Sequence, residues 1–344
     1  MAKSKMLHDI KMMYYNLLKR RMGVWKYFLW QEDRLVKHDL HPYYKKRCGD
    51  NRLSTVPCVI YMANGWTWSG GLADRLKGIV SLYMWCKDNG KPFKIHFVNP
   101  FVLNDYLDEN KYQWMIKEED VCYDLKRTDV KAFLMEPVLA VPEVQCKIQE
   151  LQEQWLDMNL TSDKLQTHVY TNMRCGNHRF SELFNELFKP NGRLQKEIDY
   201  HSQYLGDKYV SISFRFTTLL GDFTDCTGDP LPENKRKILI EDSLKAVNEI
   251  KSKTPTCSRI LVTADSERFL QEVGKLPFVY VIPGKVGHID YDHSDDVNMK
   301  TFLDFFLVSG AQKVYLAKGT GMYNSAFAKT AALVNNRDFE VYEY

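Results

Sequence analysis

The sequence predicts an α/β protein with two doubly wound, Rossmann-like domains, and three observations carry that expectation. From about residue 208, apolar runs of strand length alternate with stretches of helical period. That alternation demands a parallel sheet with right-handed crossovers. The amino-terminal half repeats the scheme less cleanly, and 344 residues suffice for two domains of ordinary size.

Taken in order, residues 6–36 read as helical. Met6, Ile10, Met13, Leu17 and Leu18 follow helical spacing opposite Lys11, Lys19, Arg20 and Arg21, and an aromatic group follows Gly23. The first core strand is 57–63. It runs into a glycine-rich turn, Gly65 to Gly71, and a helix marked by Ile79, Leu82, Tyr83 and Cys86. Strands follow at 93–98, at 138–141 and ending near 172, with helices over 143–157 and 180–188. Pro190-Asn191-Gly192 stops the last of these and marks the domain boundary region. Beyond it come strand 209–215, helix 234–252, strand 259–264, a helix with Phe269, Leu270 and Val273, strand 278–282, helix 297–310, strand 313–317, helix 321–333 and strand 339–342. The expected organisation is a basic segment over 1–50, an acceptor-side domain over 51–195 and a nucleotide-sugar domain over 196–344.

Composition narrows the function classes. With 44% hydrophobic and 26% charged residues the chain is neither disordered nor collagen-like. A net charge of +3 is too small to argue for a nucleic-acid partner. Residues 1–47 nevertheless hold twelve Lys/Arg against four Asp/Glu, leaving a balance of about −5 for the rest. This segment fits an anionic membrane surface, or a helix packed on the domain body with a solvated basic face. Eight cysteines show no C-x-x-C pair and no metal spacing, so reduced thiols and a cytoplasmic location are expected. The start shows no secretory pattern, and no run of roughly 18 apolar residues suggests a membrane span.

The chemistry is expected where strands end. Tyr209–Phe214 alternates apolar and small residues and delivers Arg215 to the end of a buried strand. Ligands of open α/β sheets bind beyond the carboxyl ends of strands, and a fixed guanidinium there grips a phosphate with two parallel hydrogen bonds. The other reading is an ion pair with Asp222 or Asp225. Later strand ends contribute Thr263, Asp265, Ser266 and Gly319-Thr320-Gly321, the last group opening a helix with phosphate-friendly glycines and a hydroxyl. Gly70 and Gly71 either aim backbone N–H groups at an anion or merely supply a tight turn. Asp290-Tyr291-Asp292 is a metal pair or a solvated acidic loop. Trp66 and Trp68 stack on sugar rings or pack between domains. His96 and His168 suit satisfied core groups, and His178 and Arg179 a surface role.

Three segments resemble the fucosyltransferase superfamily of GT-B glycosyltransferases. Gly70–Leu76 is similar to its G-G-L-G-N/D-R/Q-L turn, Val210–Phe216 to its V-x-V-H-x-R-R strand, and Ile260–Asp265 with Thr301–Asp304 and Thr320 to its nucleotide-side elements. The resemblance implies a GT-B fold with its domains facing a cleft, and metal-independent, inverting transfer from GDP-fucose to a glycan or lipid-linked oligosaccharide in bacterial surface-glycan synthesis. It places Arg215 on the β-phosphate, Thr320 on a phosphate-binding serine, Asp304 on the guanine and Asp265 at the nucleotide-side strand end. Arg75 and the 70–74 turn then face the cleft, and Ser213, Ser266, Gly319 and Gly321 complete the donor side. Three positions depart from the pattern: Ser213 replaces a histidine, Phe216 an arginine and Ala73 a glycine. Asp222, Asp225 and Asp74 are candidate general bases, although strong oxocarbenium character removes the need for one. The alternatives are another nucleotide sugar, or a binding module without turnover.

Overall fold

The computed structural model describes residues 13, 15–48, 54–134, 142–223 and 228–344. The strand expected at 138–141, residues 1–12, Asp225 and Cys226 lie outside them. The chain divides into two compact units. The first takes the residues up to Ser69, Arg75–Phe97 and Trp114–Cys175; the second takes Gly70–Asp74, Val98–Gln113 and Gly176–Tyr344. The expected boundary at 195–196 falls within the helix Gly192–Leu205, where Asn191 caps the N-terminus through Leu194 N–H at 2.9 Å.

The first unit is built on strands β1 (Cys58–Ala63), β2 (Phe93–Phe97), β4 (Thr128–Phe133) and β5 (Gln166–Thr171). They form one parallel sheet in the order β2-β1-β5-β4. β1 is buried along its whole length, as an uninterrupted apolar run covered on both faces should be. The helix Leu72–Asp88 carries the chain from β1 to β2. It lies so close to the sheet that a Cβ on Gly78 would come within 2.4 Å of the Thr171 carbonyl oxygen.

Over the described residues the helical reading of 6–36 holds, with an interruption. The run breaks at Gly23 (φ +81°), resumes as Val24–Leu35, and continues through a π-helical turn, Val36–Leu40, into His41–Arg47. Phe28, Leu40 and Tyr44 are fully buried, and Phe28 meets Phe133 edge-on at 5.0 Å. From Val24 onward the segment therefore packs on the unit's body, whereas Met13 and Leu17 stay exposed. No helix among the described residues is long and apolar enough to cross a membrane.

His168 is a satisfied core group, as expected. Its Nε2 lies 2.8 Å from Gln166 Oε1, an acceptor, so Nε2 carries the proton and Nδ1 accepts from Tyr44 Oη at 2.7 Å. Burial depresses the imidazole to about 3, with nearby His96 adding to the shift. A histidine depressed on folding takes up its proton first in the unfolded chain. Stability should thus be complete above about pH 6.5 and fall as pH drops toward 3, by up to about 1.4 kcal/mol per pH unit from this residue. Urea unfolding of wild type and His168→Gln between pH 7 and 4 checks this: the variant's slope should be shallower, and identical slopes refute it.

The second unit holds β7 (Tyr209–Phe214), β8 (Arg259–Ala264), β9 (Val279–Tyr280), β10 (Lys313–Lys318) and β11 (Asp338–Glu343). All are parallel, in the order β11-β10-β7-β8-β9. Two strands that the sequence does not announce, β3 (Leu107–Glu109) and β6 (Phe188–Pro190), pair antiparallel beside this sheet's helices. The strand order reverses between β7 and β10. In doubly wound sheets that reversal opens a crevice at the carboxyl ends, because the crossovers leave toward opposite edges.

Candidate functional site

The residue that follows β7 is Arg215. Its side chain keeps 20% of its surface exposed, and Nη1 lies 3.2 Å from Asp265 Oδ2. The guanidinium also lies over the Phe223 ring at 4.8 Å. Across the reversal, the Arg215 carbonyl accepts from Tyr323 N–H at 3.2 Å, which ties the β7 end to the loop after β10. Among the described residues the acid that pairs with Arg215 is Asp265; Asp222 is bonded to Ser266 and Arg268 N–H, and Asp225 lies outside the described residues.

Asp265 directly follows β8 and is 6% exposed. Oδ1 accepts from Phe216 N–H at 2.8 Å, and Oδ2 accepts from Thr217 N–H at 2.7 Å. Burial pushes its carboxyl above the ordinary range, while Arg215 and the two amides pull the other way. Its oxygens are thus engaged with the protein itself, which makes Asp265 a positioning residue for Arg215. Thr217, whose N–H it holds, has φ +54°, a left-handed conformation that non-glycine residues seldom adopt. Thr217 Oγ1 donates to the Phe216 carbonyl at 2.6 Å, and together these bonds hold the strained turn.

The departures from the family pattern have a structural reading. Alternation along β7 sends Phe214 and Phe216 into the core, both against Phe269, at 4.6 and 5.0 Å between ring centroids. Ser213 faces the other way, and its hydroxyl lies 2.8 Å from Thr263 Oγ1 on β8. Ser213 is therefore a cross-strand tie, 5% exposed, where the resemblance places a donor contact.

Asp222 and Ser266 form the N-terminal cap of the helix Glu267–Val273. Ser266 Oγ accepts from Phe269 N–H and donates to Asp222 Oδ2 at 2.8 Å, and the same oxygen accepts from Arg268 N–H at 2.9 Å. These bonds make Asp222, one of the three candidate general bases, an anchor of the loop after Arg215. Asp304 departs further. On the helix Asp295–Gly310 both its oxygens lie 2.6 Å from Lys300 Nζ, and both residues are buried. Burial raises the carboxyl, opposed chiefly by Lys300. A guanine contact from this carboxylate would have to share its oxygens with the lysine.

Gly319-Thr320-Gly321 does follow β10, but it does not open the helix. That helix is Phe327–Val334, and Ser325 Oγ accepts from its Phe327 N–H at 3.2 Å. Thr320 and Gly321 are exposed, with Gly321 at φ +83°. Among the described residues, Phe223, Tyr323 and Ser325 are neighbours of the site or its loop that sequence reasoning missed. Ser325 was signalled by Asn324-Ser325 before an apolar run, a cap pattern, and Phe223 by no pattern.

The turn after β1 is held from within. Gly70 sits at φ +77°, and a Cβ there would come within 2.8 Å of Asp74 Oδ2, so only glycine fits. Asp74 N–H donates to the Gly71 carbonyl at 3.1 Å in the first turn of Leu72–Asp88. Arg75 is 3% exposed and lies over the Phe97 ring at 5.5 Å. In the acidic loop, Asp292 pairs with Lys285 at 2.6 Å and accepts from Ser294 N–H at 3.0 Å. No group of three or more potential metal ligands occurs among the described residues.

No protein-family model matches the sequence, and no curated protein does. Solved structures do. NodZ α-1,6-fucosyltransferase soaked with GDP-fucose superposes with a TM-score of 0.51 at 14% identity, over 81% of this chain and 92% of that one. The fucosyltransferase NodZ from Bradyrhizobium gives 0.51 at 14% identity over 82% and 94%. A mutant of Arabidopsis thaliana FUT1 in complex with GDP gives 0.52 at 10% identity over 93% and 79%. The chain therefore has the α/β fold of these GT-B fucosyltransferases.

Proposed function

We propose that this protein transfers fucose from GDP-fucose to a glycan acceptor. The observation that carries the reading is Arg215, a guanidinium fixed by a buried acid where the strand order reverses, in a fold shared with fucosyltransferases solved with GDP or GDP-fucose. In transfer, the bond from the sugar's anomeric carbon to the diphosphate oxygen breaks as the acceptor oxygen bonds to that carbon from the opposite face. Negative charge develops on the departing diphosphate. Arg215 and the N–H groups of Thr320 and Gly321 in the loop after β10 meet it with preorganised positive charge, so no metal is needed in this scheme. The acceptor proton passes to a carboxylate or to water, and a dissociative transition state tolerates either.

The acceptor fits a bacterial surface polysaccharide or a lipid-linked oligosaccharide, made in the cytoplasm by an enzyme attached peripherally through residues 1–47. Flotation with anionic liposomes, full-length against a chain lacking residues 1–22, tests the attachment. Calorimetry with GDP, UDP and ADP, together with assays of sugar-nucleotide hydrolysis, tests the reaction. GDP should bind tightest, and GDP-fucose should release GDP with EDTA present. Equal weakness for all three nucleotides overturns the nucleotide site, whereas tighter UDP or ADP binding moves the donor to another sugar nucleotide.

A further inference from the structure

We infer that Trp66 and Trp68 form a carbohydrate-binding platform on the first unit that takes a neutral pyranose of the acceptor. Of the seven tryptophans, these two alone are exposed, at 49% and 58%; the other five are buried or half-buried. They follow β1, one of the two central strands of its sheet, on the carboxyl side where parallel sheets bind ligands.

The platform is built, not merely exposed. The Trp66 ring lies on Tyr43 with centroids 4.4 Å apart and planes 32° from parallel. Its backbone N–H donates to Asn64 Oδ1 at 3.3 Å, and Asn64 Nδ2 donates to the Tyr170 hydroxyl at 3.0 Å. Tyr170 is fully buried and hydrogen-bonded to Tyr44 at 3.2 Å, so the indole is seated on the core. Rigid aromatic faces lose little entropy on binding, which favours them as contact surfaces.

Charge selects the occupant. From Pro57 to Ala73 the chain has no Asp, Glu, Lys, Arg or His. An anionic bilayer calls for cations beside the tryptophans. The helix that carries Tyr43 does hold Lys45, Lys46 and Arg47, but Arg47 is taken up by Glu118 and the Tyr123 ring, and vesicle binding is one arm of the test below. A protein partner calls for a wider apolar surround, yet the flanking residues are Asn64, Gly65, Thr67 and Ser69. A pyranose with mostly equatorial hydroxyls presents an apolar C–H face to an indole and hydroxyls at its rim, where an amide and a hydroxyl are at hand.

The word acceptor rests on the fucosyl-transfer reading, and the test separates the two. The full-length wild type, Trp68→Ala and Trp66→Phe are applied to a printed glycan array, with GDP calorimetry on each. Trp68 is exposed, so Trp68→Ala should keep the wild-type unfolding midpoint and GDP affinity while losing about tenfold in glycan binding. Trp66→Phe keeps an aromatic face and should retain most of it. Unchanged glycan binding by Trp68→Ala overturns the platform, as does a wild type that binds no glycan. A Trp68→Ala defect confined to vesicle binding or self-association overturns it too. Tryptophan-dependent glycan binding without GDP binding overturns the transferase reading and leaves the platform standing.

Discussion

Arg215→Ala is expected to weaken GDP binding by about a hundredfold and to abolish measurable transfer while the protein stays folded. Two charge-assisted hydrogen bonds to a phosphate contribute about 3 kcal/mol or more, which corresponds to that factor. The effect on transfer exceeds the effect on binding, because charge on the diphosphate grows as the sugar departs. The variant survives folding for a visible reason. Asp265 keeps its bonds from Phe216 and Thr217 N–H, and the arginine was already partly exposed. Calorimetry with GDP and a GDP-release assay measure both quantities. Wild-type affinity and turnover in the variant would remove Arg215 from the site.

Asp265→Ala should do the opposite, acting on stability first. The substitution removes the Asp265 partner of the guanidinium and leaves two buried N–H donors without that acceptor. Each buried donor left without its acceptor costs about 1–3 kcal/mol. The Thr217 turn also loses the bond that holds its left-handed backbone. Asp265→Asn retains one accepting oxygen and should lie between wild type and alanine in both stability and GDP affinity. Urea denaturation with GDP calorimetry on the folded fraction separates the roles. If the asparagine variant binds GDP as tightly as wild type, Asp265 is a packing residue only. If Asp265→Ala unfolds at the wild-type urea concentration, the network carries no strain-holding role at all.

The carboxy-terminal sheet was legible in the sequence because its strands are apolar runs set between helical stripes. β7, β8, β10 and β11 fall where alternation placed them, and Arg215 lies at its strand end. β4 was not legible: Asp129 and Lys131 interrupt its apolar pattern, since those positions are only half-buried. β3 and β6 are three residues each, below the length at which periodicity is visible. The helix after β10 was placed six residues early because Gly319-Thr320-Gly321 resembles a helix opening, whereas the loop extends to Ser325.

The site was half legible. Residue type and position marked Arg215, Asp265, Ser266 and Asp222 as neighbours, and the structure gathers them at the β7 and β8 ends. Their division of labour was not readable. Which acid meets the arginine, and which one caps a helix, depends on contacts across 40 to 50 residues that no local pattern encodes. Asp304 shows the same limit, since a lysine four residues earlier on its helix claims both of its oxygens.

The interleaving of the two units sets rules for anyone who would recombine this protein with one of like fold. The polypeptide passes from one unit to the other five times, at residues 69–70, 74–75, 97–98, 113–114 and 175–176. A chimaera spliced at one junction near 176 would strip the recipient half of 98–113, including β3, whose partner is β6, and Tyr106, which stacks on Phe302 with ring centroids 4.6 Å apart. A viable graft must carry that sixteen-residue insert together with the half it belongs to.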